Sequence, residues 1–345
     1  MATTVRSYSK INLGLRIGPP RQDGFHDLTT MYQTVGLYDR VTVRARNAPE
    51  SRITMECTDP RVPTDGRNTV YRMVDAALSE MGVTAEVHVA LEKNLPVQGG
   101  LGAGSANAAA ALLGLERELD AALPGPRRMA LAERIGSDVP LFLVGGTVYG
   151  HNRGEVVLPY PDLPEMHAVI FSPTVGSSTP LAFRAWDARV AQLTPEAATG
   201  RLTELSRVYA SASAEVQTGA SGAFRTLGVG NDGEHAPNLQ RSGSLAGNPL
   251  PALVRTGIAN DFEEVVFQQH PFLRDILHSL WGDEALPEES RAICAALSGS
   301  GSSLFGLYRT TADADAAQAR TAGFAGRSFR TVTLSREAYW GSIFA

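Results

Sequence analysis

Lysine is nearly missing from this sequence: of 31 basic residues in 345, only Lys10 and Lys93 are lysines and the rest are arginines. In a chain that uses arginine for ordinary surface charge, a retained lysine marks a position where a compact ammonium is wanted and a planar guanidinium will not serve. The bland alternative is chance placement at a solvent edge. Cysteine is scarce as well. Cys57 and Cys294 lie far apart with no His or Cys at metal-ligand spacing, which argues against a disulfide framework and a zinc site. Excess positive charge is absent, and a formal net charge of -5 leaves no basic surface for nucleic acid. No apolar run reaches the roughly 18 residues that span a bilayer. The first 17 residues also lack the apolar core of a signal peptide, so a cytoplasmic protein without a membrane partner is expected. Between about 195 and 250, Ser, Gly, Ala, Thr and Asn dominate, and this stretch is expected to be a low-complexity surface insertion that buries little.

Glycine, by contrast, is concentrated where it can do chemistry. Residues 85–91 alternate as a half-buried strand, and an alanine-rich helix is expected to begin near Ser105. Between them stand Gly99, Gly100, Gly102 and Gly104. Such a loop lets the backbone take positive φ and brings bare N–H groups, with the positive end of the helix dipole, close to an anion such as phosphate. The Walker pattern does not apply, because Gly104-Ser105-Ala106 has no lysine. The dinucleotide fingerprint is weak, because Glu116, Glu118 and Asp120 fall on or just after the helix and not after a further strand. A purely structural glycine turn remains the competing reading of the loop taken alone.

The length suits two domains. Residues 5–17 read as a strand with Lys10 and Asn12 on one face. Turn residues Gly18-Pro19-Pro20 and Asp23-Gly24 follow, with Phe25 and His26 at the far side, and then more strands to Arg46. Residues 68–81 form an amphipathic helix stopped by Gly82. A short helix is predicted near 128–135 and an apolar strand after Asp138, whose own bland reading is a turn or cap residue. Further expectations are a strand over 165–173, helices over 261–281 and 288–297, a glycine-serine turn before an apolar strand, a helix over 311–322 and a strand near 328–334.

Five motifs, taken in order, resemble the GHMP kinase superfamily: Lys10-Ile11-Asn12-Leu13, Asp23-Gly24-Phe25-His26, Pro96-x3-Gly100-Leu101-Gly102-x-Gly104-Ser105, Gly136-Ser137-Asp138-Val139-Pro140 and Leu297-Ser298-Gly299-Ser300-Gly301. The Asp-Gly-aromatic-His turn and the Ser-Asp-Val-Pro run point to the branch that phosphorylates a cytidine-diphosphate-linked methylerythritol. The resemblance implies an α+β fold. An N-terminal α/β domain (1–160) with a left-handed βαβ crossover would be followed by a C-terminal ferredoxin-like domain (161–345), the latter carrying the insertion. It implies ATP and Mg²⁺ as cofactors and transfer of the γ-phosphoryl to an alcohol.

By the same resemblance, Lys10 and Asp138 are the catalytic pair. Asn68, Lys93, Pro96, Gly99, Gly100, Leu101, Gly102, Ala103, Gly104, Ser105 and Ala106 bind the nucleotide, with Ser105 as metal ligand. Asn12, Phe25, His26, Phe183 and Asp138 meet the acceptor, Phe25 and Phe183 sandwiching its base. Two departures stand out. Ala106 replaces a usual serine of the phosphate loop, and Phe25 replaces a usual tyrosine. The rival readings are a GHMP kinase for mevalonate or homoserine, and a non-catalytic nucleotide-binding regulator.

Overall fold

A computed structural model describes residues 2–218 and 259–345, and the structural statements below concern those residues. Its first half is built on one long hairpin, β1 (Thr3–Pro20) and β2 (His26–Asn47), with Lys10 opposite Thr34 and Asn12 opposite Tyr32. The early part of β2 also pairs with β5 (Thr147–Asn152), and its later part with β4 (Ala85–Glu92). β3 (Arg52–Cys57) and β6 (Val156–Pro159) complete a six-stranded sheet. β3 and β4 run parallel, joined through α1 (Thr69–Met81) as a βαβ unit. Asn68 caps α1 by accepting a hydrogen bond from Val70 N at 2.8 Å, and Gly82, at φ 67°, ends it.

The alanine-rich helix α2 (Ala103–Glu118) begins two residues before the expected Ser105 and packs against α1, β1 and β2. Its small residues have a steric cause: a Cβ at Gly114 would come within 2.7 Å of Val43. α3 (Gly125–Ile135) follows as expected. The apolar run after Asp138 is a single helical turn, α4 (Val139–Phe142), and not the predicted strand. A short apolar run cannot by itself distinguish the two, and Pro140 in the first turn, where no N–H is required, favours the helix.

The second sheet has the order β10 (Gly326–Val332), β7 (His167–Pro173), β9 (Leu304–Tyr308), β8 (Cys294–Leu297), with every neighbouring pair antiparallel. Numbered from its own first strand this is 4-1-3-2, the ferredoxin-like order. Between β7 and β8 come α5 (Thr179–Val190), α6 (Pro195–Thr218), α7 (Phe262–Gln269) and α8 (Leu273–Trp281). α9 (Thr311–Arg320) joins β9 to β10. The helical stretch expected over 261–281 is thus broken at His270-Pro271. The helix expected over 288–297 is instead a 3-10 turn, Glu288–Ser290, followed by β8. Ile293 to Leu297 pair with β9, the sheet contact overriding the helical pattern.

Two findings correct the expected layout. The supposed insertion begins as α6, whose Leu205 and Tyr209 are buried beside Ile11, Leu13 and Met31, so its first part belongs to the core. The remainder of the 195–250 segment lies outside the described residues from 219 onward. The last helix, α10 (Arg336–Ser342), was not anticipated and returns to the first sheet, where Tyr339 OH donates to Phe142 O at 2.7 Å. Between the sheets Ile11, Leu13 and Met31 meet Ala168, Ile170, Phe305 and Leu307. Strand alternation then turns Lys10 and Asn12 to the other face, toward the glycine loop. Among the described residues no helix is long and apolar enough to cross a membrane.

Candidate active site

The glycine loop is held down by the second glycine-serine turn. Ser298 Oγ donates to Gly100 O at 3.0 Å, and Ser303 N donates to Gly99 O at 3.2 Å. Gly100 and Gly102 both have positive φ, 76° and 70°. A Cβ at Gly100 would collide with the Ser298 carbonyl oxygen, and one at Gly102 would sit 2.9 Å from Phe142 and 3.1 Å from the Lys10 side chain. Only glycine lets the loop lie this close to both neighbours. Asn260 fixes the opposing turn by donating to Leu297 O at 2.8 Å and Gly299 O at 2.7 Å.

Beneath this double loop Lys10 is 3 % exposed. Its Nζ donates to Asn12 Oδ1 at 2.6 Å and lies 3.4 Å from Asp138 Oδ2. Asn12 in turn donates to Thr30 Oγ1 at 2.8 Å. Asp138 keeps partial exposure, and its other oxygen accepts from Tyr32 OH at 3.1 Å. Burial first, then the charge of Asp138, push the Tyr32 phenol well above its ordinary pKa, so it stays a donor. Sequence reasoning missed Tyr32. Its register opposite Asn12 was the available signal.

Lys10, Asn12, Tyr32 and Asp138 line a cleft of about 830 Å³ together with Ser105, Phe25, His26 and Phe183. A second hollow of about 430 Å³ shares Gly100, Gly102 and Ser105 with it and is lined by Asn68, Lys93, Pro96, Gly99, Leu101, Ala103 and Gly104. Ala106 is buried under the loop and lines neither space. Asn68 and Lys93 reach the hollow, and each also has a partner within the protein. Asn68 caps α1 and donates to Pro63 O at 2.6 Å. Lys93 forms a buried ion pair with Asp39, whose Oδ1 also accepts from Asn94 N at 2.7 Å and Leu95 N at 2.8 Å. That carboxylate ties down the approach to the glycine loop.

Phe25 and Phe183, the residues expected to sandwich the base, both line the cleft. His26 stacks on Phe183, centroids 4.7 Å apart at 21°, and Phe262 meets Phe183 edge-on at 5.0 Å. Phe25 is half exposed and lies under the Arg153 guanidinium at 4.7 Å. His26 Nε2 lies 2.6 Å from Asp187 Oδ1. Asp187 was also missed, although Phe183 and Asp187 sit four residues apart on α5 and therefore share a face.

Among the described residues no group of three or more His, Cys, Asp or Glu gathers to cage a metal. Ser105 and Asp138 do line the same cleft. A sparse oxygen set of this kind fits a magnesium ion carried on phosphates, which needs only one or two protein ligands.

The family model for the GHMP kinases N terminal domain matches residues 68–146. The chain is 34% identical over 313 residues to the 4-diphosphocytidyl-2-C-methyl-D-erythritol kinase of Solibacter usitatus, covering 90% of this chain and 83% of that one. It is 35% identical over 260 residues to the enzyme of that name from Rhodococcus jostii, covering 74% and 77%. A crystal structure of 4-(cytidine 5'-diphospho)-2C-methyl-D-erythritol kinase superposes with a TM-score of 0.64 at 26% identity, over 96% of this chain and 98% of the other. A homoserine kinase from Cytophaga hutchinsonii superposes with a TM-score of 0.66 at 18% identity, over 97% and 95%, which shows a shared fold. On sequence relatives aligned over most of both chains, and on a crystal structure of that kinase that superposes over nearly the whole chain, this chain belongs to the 4-diphosphocytidyl-2-C-methyl-D-erythritol kinase family of the GHMP kinases.

Proposed function

We propose that this cleft transfers the γ-phosphoryl of ATP to the 2-hydroxyl of 4-diphosphocytidyl-2-C-methyl-D-erythritol, a step of non-mevalonate isoprenoid synthesis. The observation that carries the reading is the Lys10–Asp138 pair lying against the glycine loop. Phosphoryl transfer asks chiefly for positioning and neutralisation of charge. The N–H groups of the loop and the N-terminus of α2 suit the triphosphate. Ser105 Oγ is assigned as the protein's contact to the Mg²⁺ carried on the phosphates, where the ion would supply charge neutralisation.

Asp138 orients the acceptor hydroxyl and takes its proton as the oxygen attacks the γ-phosphorus and ADP departs. Lys10 stands beside that carboxylate and offsets the charge developing on the transferring group. Asn12 sets the Lys10 ammonium in place and faces the acceptor. Asn68 and Lys93 serve the nucleotide hollow as supports of its wall. Phe25, His26 and Phe183 form the end of the cleft assigned to the cytosine.

The test is a phosphoryl-transfer assay with ATP and Mg²⁺ across cytidine-linked methylerythritol, mevalonate and homoserine. Turnover confined to the cytidine-linked alcohol supports the assignment. Robust turnover of mevalonate or homoserine with none on the cytidine-linked alcohol would sink it.

A further inference from the structure

Asp187 lies on α5, in the wall of the same cleft, and no motif singles it out. Its Oδ1 nonetheless sits 2.6 Å from Nε2 of His26, a ring only 7 % exposed. A carboxylate offers lone pairs alone, so in this contact Nε2 carries the proton and donates it. The ring cannot swing away easily. It lies flat on Phe183, and Phe262 holds Phe183 edge-on. In a neutral imidazole with the proton on Nε2, the other nitrogen, Nδ1, presents a lone pair. Among the described residues no other side-chain hydrogen bond reaches this ring, and the ring lines the cleft.

We infer that Asp187 is a specificity-determining positioning residue. By fixing His26 as a hydrogen-bond acceptor toward the cleft, it makes the site select a pyrimidine that bears an amino group over one that bears a carbonyl at the same place. This rests on the reading of that end of the cleft as a cytosine site. An exocyclic amine donates to the lone pair of Nδ1. A carbonyl there sets lone pair against lone pair and leaves two buried acceptors unpaired, which is the arrangement by which a polar site rejects a near-isosteric ligand. Stacking in this pocket, by contrast, tolerates either base.

The experiment compares kcat and KM for the cytidine- and uridine-diphosphate-linked methylerythritols, at saturating ATP, in wild type, Asp187→Ala and Asp187→Asn. Wild type is expected to prefer the cytidine form by about 10- to 100-fold in kcat/KM. In Asp187→Ala the ring is free to change tautomer. The preference is then expected to shrink to within about threefold, through a raised KM for the cytidine form and not through kcat. Asp187→Asn keeps a carbonyl oxygen that can accept from Nε2 and is expected to retain most of the preference. Undiminished discrimination in Asp187→Ala, or its loss in Asp187→Asn, overturns the inference and leaves the reaction assignment standing. A wild-type enzyme that turns over neither nucleotide-linked alcohol overturns both.

Discussion

Asp138 is held from two sides by different kinds of partner: Tyr32 donates its hydroxyl proton to Oδ1 at 3.1 Å, and the Lys10 ammonium stands 3.4 Å from Oδ2. A carboxylate that merely ended a turn would not need a buried cation and a buried phenol converging on it from β1 and β2. The arrangement leaves the charge oriented and partly exposed toward the cleft, as a group acting on a bound hydroxyl requires.

Asp138→Asn preserves shape and the contact with Tyr32 but removes the proton acceptor. Turnover is expected to fall by about 10² to 10⁴ while ATP affinity changes little, because general-base assistance is worth that much. Steady-state kcat together with nucleotide binding by calorimetric titration measures both. Near-wild-type kcat would return Asp138 to a structural role.

Lys10→Arg keeps the charge but not the volume. Gly102 lies against the lysine side chain, and Gly299 passes close to its ammonium, so a longer planar head has no room to lie in the same place. Misplacement by about 1 Å can cost on the order of 10² in rate, and that loss in kcat is expected. A stopped-flow measurement of the chemical step gives the number, and full turnover would show that any cation suffices.

Local chemistry made much of the fold and site legible in the sequence. Gly82 ended α1 where its pattern stopped, and the alternation of Lys10, Ile11, Asn12 and Leu13 fixed which face each side chain takes. What escaped was set by distance along the chain. Tyr32 meets Asp138 across 106 positions, and His26 meets Asp187 across 161. No local pattern encodes such pairs. The partner of Lys93 was hidden in the same way, because Asp39 lies 54 residues away on β2. Lysine scarcity singled out Lys10 and Lys93 alike. The fold turns Lys10 to the cleft and pairs Lys93 with Asp39 behind the glycine loop.

That difference is measurable. Lys93→Met removes one member of a buried ion pair and strands Asp39, which is fully buried. Breaking such a pair typically costs about 3–5 kcal/mol, and a loss of that size in urea unfolding is expected, with a weaker apparent affinity for ATP following from the loosened loop. If unfolding stability were unchanged and only KM for ATP rose, Lys93 would be a nucleotide ligand after all.

The packing of α6 makes a separate claim. Leu205 is 3 % exposed within the core shared by the two sheets. Leu205→Ala should cost about 2–5 kcal/mol, as large-to-small changes in packed cores do. A chemical denaturation curve shifted by less than about 0.5 kcal/mol, the range of ordinary surface changes, would mean that the helix is dispensable.

The last expectation concerns pH and a residue behind the active site. Glu263, on α7, is largely buried, and burial pushes its carboxyl from 4.5 up to about 7 despite a stabilising hydrogen bond from Leu297 N at 2.8 Å. Leu297 leads directly into the Ser298–Gly301 turn that clamps the glycine loop. Between pH 4.5 and 7 the folded protein holds a proton here that the unfolded chain has released. The contribution of this group is therefore complete below about 4.5 and is lost as pH rises through about 7. Glu263→Gln keeps an oxygen to accept from Leu297 N and cannot ionise. Relative to wild type it should gain roughly 1–3 kcal/mol on going from pH 5 to pH 8, since each tenfold change in proton affinity is worth about 1.4 kcal/mol before relaxation and water penetration reduce it. Urea unfolding of both proteins at the two pH values tests this. Parallel pH dependences would mean that Glu263 is solvated and titrates as an ordinary carboxylate, and that the turn it supports does not feel its charge.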